Sequence, residues 1–195
     1  VVPDQALKAG DRGNKKVDVD KKVDVDHDLL HLLDDHAEWL QSNGKNGARA
    51  NLEGKDYYGA ILNRADLTRA KLKDIILTDS ACMRASFEGA DMTKADLSHG
   101  NFGGANFSLA KLCSAVLAGA NLKGADLKGA DLTEANLHGA NLRDADLTDT
   151  ILVGVKVKGA DLRDAEGLTQ DQLKKVRADA STRLSKAQRN PALKT

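Results

Sequence analysis

Aromatic side chains are nearly missing from this chain, at 3% of its residues, and proline occurs only twice. A core of interlocking rings is thereby excluded, and any interior must be filled by small, uniform aliphatic layers. Only two cysteines, Cys82 and Cys113, are present. They are too few for the disulfide framework that staples small secreted domains, so the expected compartment is a reducing cytoplasm. A periplasmic or secreted location after removal of a signal is the alternative, although the opening VVPDQALKAGDRGNKK lacks the apolar stretch of a signal peptide. No run approaches the roughly 18 apolar residues of a membrane span, so no membrane partner is expected. The formal charge of zero removes any global bias toward nucleic acid.

What the chain does contain falls into zones. Residues 1–27 are charged, with KKVDVD repeated at Lys15–Asp20 and Lys21–Asp26, and hold no apolar mass to bury. They are read as a flexible tail. Residues 28–49 are expected to form a capping helix and linker. Leu29, Leu32, Leu33, His36 and Leu40 fall on one helical stripe, Asp28 can open the helix and Gly44 can end it. Such a helix cannot bury its face alone, and the open end of the following segment is its natural partner.

From residue 50 to 164 the sequence counts in fives. Starting at Leu52 and stepping by five gives 23 pentads whose central residue is always apolar, without an insertion. Two positions before the centre the residue is Ala in 17 of them, the exceptions being Lys55, Ile75, Ser80, Gly100, Thr150 and Val155. A period of five matches neither helix nor strand. It requires a backbone that turns a corner once per pentad, with the centre and the small residue two before it facing inward. Asn or Asp between them suits such turns, because these side chains bond nearby backbone groups.

The tandem A-[ND]-L-x-x pattern, clearest in GANLKGADLKGADLTEANLHGANLRDADL (Gly119–Leu147), resembles the pentapeptide-repeat family. That resemblance implies an all-β solenoid, a right-handed quadrilateral β-helix with four pentads per coil. Here it implies just under six coils, roughly 28 Å long at the spacing of stacked strands. The implied inner ladder is Leu52, Leu62, Leu67, Leu72, Phe87, Leu97, Phe102, Phe107, Leu112, Leu122, Leu127, Leu132, Leu137, Leu142, Leu147 and Leu162, with Tyr57, Cys82 and Met92 also at centres. Cys82 then lies inside and Cys113 outside on another wall, where they cannot bridge. After the repeat, Thr169 and Gln172 stand in capping-box spacing, so a short C-terminal helix is expected over Gln170–Ala178. It forms a cap over residues 165–180, followed by a loose tail over 181–195.

A filled square rod has flat walls, whereas catalysis needs a concave, water-excluding pocket. No phosphate loop, zinc spacing or nucleophile elbow is present, so no catalytic residue, cofactor or metal site is assigned and the chain is read as non-enzymatic. His27, His31 and Asp35 are spaced by four in DHDLLHLLDDH, but acidic residues early in a helix are also what its dipole favours.

Function is therefore sought on the walls. The wall through Leu67, Phe87, Phe107, Leu127 and Leu147 carries Asp66, Glu88, Asp126, Asp146 and Asp149 against Arg69 and Lys128. Its neighbour through Leu62 carries Arg64, Arg84, Lys123, Arg143 and Arg163 against Asp144, Asp161 and Asp164. These five basic residues are the candidate contact for an unknown protein partner. Ile151 and Val153 stand outside the pattern, to be covered by the C-terminal helix or to form a homodimer contact at that end. Some family members mimic DNA. A duplex of this length carries roughly 16 negative charges, whereas the repeat holds 13 Asp and 3 Glu against 9 Lys and 5 Arg. A mimic that inhibits or protects a topoisomerase-type enzyme is the disfavoured alternative to a protein-binding scaffold.

Overall fold

The computed structural model describes residues 19–185, with side chains from residue 27 onward. Within it the residue before each pentad centre makes a parallel bridge to the residue twenty positions later: Asn51 to Lys71, Asp56 to Ile76, Ile61 to Ala81, Asp66 to Ser86, and onward to Asp146 with Glu166. Four pentads thus close one coil. We name the walls after their first centres: Leu52, Tyr57, Leu62 and Leu67. Each rung is a single bridge rather than a long strand, held by repeated bonds such as Lys71 N–H to Ala50 O at 2.9 Å and Leu52 N–H to Lys71 O at 2.8 Å.

The corner has one recipe throughout. The carbonyl of the centre accepts from the amide three residues on, as at Ala65 N–H to Leu62 O, 3.1 Å. The residue two after the centre has positive φ at every pentad from Gly54 (64°) to Asp164 (61°). That third residue of a tight turn favours glycine. Arg64, Asp74 and Leu109 nevertheless accept it, at a cost of about 1–2 kcal/mol each, because ladder bonds on both sides hold the corner. Asn and Asp before the centre fold back onto the same corner. Asp66 Oδ1 accepts from Thr68 N–H at 3.0 Å and Asn106 Oδ1 from Ser108 N–H at 2.9 Å. The A-[ND]-L order is therefore small inside, turn-maker outside, large inside.

From Leu52 to Leu162 every centre except Tyr57 is buried, as is the column two before it apart from Lys55. At mid-rod Phe87 stacks on Phe107 with centroids 5.0 Å apart, and Phe102 meets both edge-on. These rings stand in place of Leu in the second and third coils and fill more of the interior there.

Both ends differ from the sequence expectation. The N-terminal helix α1 spans Val19–Gln41, so residues 19–27 are helical and not part of a flexible tail; residues 1–18 lie outside the described residues. Once a Leu-rich stripe nucleates a helix, each further residue costs little and gains a backbone bond. Leu29, Leu33 and His36 bury their side chains on the first coil, and Gly44 (φ 83°) ends the helix with its amide on Trp39 O, 2.7 Å. Gly47 then passes beneath α1 where any Cβ would lie 2.2 Å from Asp35 O, so only glycine fits.

At the other end α2 spans Gln170–Lys175, shorter than the expected Gln170–Ala178. The chain then rejoins the ladder. Arg177 bridges Lys156 and Arg183 bridges Asp161, so the loose tail expected from residue 181 is corrected over 181–185, while 186–195 lie outside the described residues. The last regular coil offers unpaired amides and carbonyls that need partners. Leu168, Val176 and Leu184 pack against the core as they supply them.

Candidate docking surface

The walls are flat, and depressions occur at the N-terminal end. A groove of about 380 Å³ between α1 and the first coil is lined by Asp28, His31, Leu32, Asp35 and Arg49, among others. The His27 and His31 rings lie 4.3 Å apart edge-on. Among the described residues no group of three His, Cys, Asp or Glu converges as metal ligands would. Beneath the groove, His36 is fully buried and stacks on Trp39 at 5.6 Å. Its Nδ1 accepts from Ala50 N–H at 3.1 Å, which joins α1 to the start of the solenoid.

The five basic candidates on the Leu62 wall do not form one patch. Lys123, Arg143 and Arg163 occupy the position one after the centre in the fourth to sixth coils, and each has an acidic partner. Lys123 Nζ lies 3.7 Å from Asp144, Arg143 lies 3.7 Å from Asp164, and Arg163 grips Asp161 at 2.6 Å. The Arg163 guanidinium beside it holds the Asp161 carboxyl down at about 2. Such surface pairs add little stability; their effect here is to neutralise the wall.

Arg64 and Arg84 are different. They sit at corners, at φ 62° and 57°, one above the other on adjacent coils. Arg64 N–H donates to Met83 O at 2.9 Å and Arg84 N–H to Gly103 O at 3.0 Å. Among the described residues neither guanidinium has an ion-pair partner. The corner column between the Leu62 and Leu67 walls reads Arg64, Arg84, Gly104, Gly124, Asp144, Asp164 along the rod. It is cationic at one end, bare in the middle and anionic, but paired, at the other. Beside the arginines Met83 is 44% exposed.

The acidic neighbour wall is partly neutralised too. Lys128 Nζ lies 2.9 Å from Asp146, whose carboxyl is held at about 2 by hydrogen bonds from Thr148 and Lys128. Ile151 and Val153 remain 47% and 45% exposed. Helix α2 buries none of its residues and does not cover them. It is anchored instead through Gln172 Nε2, which donates to Thr150 O at 2.8 Å and Leu147 O at 3.3 Å. Both cysteines are free. Burial pushes the Cys82 thiol to about 12, and burial with a hydrogen bond to Asp131 pushes the half-buried Cys113 to about 11.

Charges sorted by wall alone make the five bases one unit, and a second spacing in the sequence separates them. A base one after the centre meets an acid 21 residues later, as in Lys123 with Asp144 and Arg143 with Asp164. Arg64 and Arg84 lie outside that rule.

A family model for pentapeptide repeats matches the chain in eight copies, over residues 48–80, 83–108, 90–129 and 125–164. No curated protein matches. Among solved structures, a pentapeptide repeat protein of the Arabidopsis thaliana thylakoid lumen is 27% identical, covering 64% of this chain and 72% of its own, with a TM-score of 0.36. A pentapeptide repeat protein from Nostoc PCC 7120 is 28% identical over 63% of this chain and 86% of its own, with a TM-score of 0.26. QnrB1, a plasmid-mediated fluoroquinolone resistance protein, is 18% identical over 75% and 90%, with a TM-score of 0.39. With eight copies of the repeat spread over more than half of its length, the chain belongs to the pentapeptide-repeat family, whose members fold as right-handed quadrilateral β-helices.

Proposed function

We propose that this protein is a non-enzymatic scaffold that recognises a protein partner on one edge of a rigid rod. In this reading the rod has 23 pentads, just under six coils, with α1 closing one end and the segment around α2 the other. The observation that carries it is the pair Arg64 and Arg84, one above the other and without carboxylate partners among the described residues, beside the exposed Met83 on a wall whose other candidate bases are neutralised. Uncompensated like charge on adjacent rungs is unfavourable in the free protein and is relieved by a complementary surface.

The test is affinity capture with matched variants. The double reversal Arg64→Glu with Arg84→Glu should abolish capture of a defined partner. Reversal of the paired Lys123 and Arg143 should leave most of it, and the opposite ranking would overturn the assignment. Ile151 and Val153 are assigned to self-association, read as a dimer by light scattering that Ile151→Lys with Val153→Lys converts to monomer. A DNA mimic would need a far larger negative excess than the 16 acidic against 14 basic residues of the repeat. Accordingly, a topoisomerase supercoiling assay should show neither inhibition nor drug protection at micromolar protein.

A further inference from the structure

Gly103 is not required by the backbone. It lies one after the centre on the Leu62 wall, a position filled by Asn63, Met83, Lys123, Arg143 and Arg163 on the other coils. Its φ is not in the left-handed region. A Cβ added there would approach nothing closer than Asn101 Oδ1 at 3.4 Å, so the fold tolerates a side chain. Next to it the Gly104 corner is also bare, with the Arg84 stem 3.5 Å from where a Cβ would be. Two adjacent positions without side chains, with the bare Gly124 corner next along the rod, leave a shallow notch in the wall, edged by the Arg84 stem. Below it stand Arg64, Arg84 and Met83, and above it Lys123. Glycine where no conformation demands it leaves room for another backbone to come close.

We propose that this notch receives an extended acidic segment of a partner protein. The segment's backbone crosses at Gly103, its carboxylates are taken by Arg64 and Arg84, and an apolar side chain rests on Met83. This rests on the scaffold reading above and specifies its ligand. Two arginines and a thioether with no aromatic platform fit a peptide better than a nucleic acid, which needs a longer run of cations or rings to stack on.

The experiment uses the full chain and a fluorescein-labelled ten-residue peptide of glutamates around a single leucine, read by fluorescence anisotropy. Arg64→Glu with Arg84→Glu should weaken binding at least tenfold. Lys71→Glu with Lys73→Glu, the same charge change on the Leu52 wall, should weaken it less than threefold. Gly103→Lys is the decisive variant. It adds a positive charge that would tighten a purely electrostatic attraction, whereas a filled notch should weaken binding at least tenfold with the melting temperature unchanged. Tighter binding by Gly103→Lys, or equal losses from both charge reversals, overturns the proposal. So does a duplex DNA probe that binds more tightly than the peptide and is lost with Arg64 and Arg84. If the peptide fails while a partner is still captured through Arg64 and Arg84, the scaffold reading stands and this assignment falls.

Discussion

Gly100 and Phe102 occupy complementary space: a Cβ on Gly100 would lie 2.4 Å from Phe102 Cε2. The single glycine in the Ala column is there because the ring two residues on has taken the room of a methyl. Gly100→Ala should therefore destabilise the rod by about 1–3 kcal/mol through overpacking. Phe102→Leu in the same chain should restore most of it. Denaturant unfolding of the two single variants and the double measures the coupling. Additive losses would show that the ring does not set the glycine.

The joint between α1 and the first coil should weaken in mild acid. With Nδ1 accepting from Ala50, the proton of neutral His36 sits on Nε2. Burial holds its pKa below the ordinary 6.5; the Thr68 carbonyl and Asp66 oppose this, and Arg49 adds to it. A folded value below the unfolded one means the unfolded chain binds more protons as pH falls through 6.5. Stability is intact above that value and lost on descending toward the folded pKa. Trp39 is the only tryptophan and stacks on the ring, so its fluorescence reports the joint. Unfolding midpoints should fall between about pH 7.5 and about pH 5.5 in the native protein and stay level in His36→Phe. Asp146 and Asp161, held near 2, titrate well below that window. An identical fall in the variant would remove His36 from the account.

Gln172 anchors the other end. It accepts from Thr169 N–H at 2.8 Å and donates to Thr150 O, so a six-residue helix too short to stand alone is pinned to the last coil. Gln172→Ala should raise hydrogen exchange at Gly154, whose amide is bound to Lys175 O. The expected rise is about tenfold, the ratio that about 1.4 kcal/mol supplies. Protection unchanged at Gly154 would mean that packing of Val176 and Leu184 holds the segment without the glutamine.

The rod was legible in the sequence because every pentad solves the same local problem: Ala65, Asp66 and Leu67 carry the whole instruction for their corner. The ends were not legible, because their contacts join segments that obey different rules. The need for Gly47 appears only when Asp35 O is overhead. Arg177 and Arg183 rejoin the ladder 21 and 22 residues after their partners instead of 20, a slip no fivefold count can register. Surface chemistry was half legible. Sorting by wall found Arg64 and Arg84, and only the ion pairs of Lys123, Arg143 and Arg163 showed that these two stand apart.

In the proposed function one edge of this rod recognises a protein. A photo-cross-linking residue placed at Met83 tests it most directly, compared with the same residue at exposed positions on the other walls: Lys111, His138 and Lys128. One adduct of defined mass is expected from position 83 alone, lost when Arg64 and Arg84 are reversed to Glu. The same adducts from all four positions, or none from position 83 while another wall yields one, would contradict it.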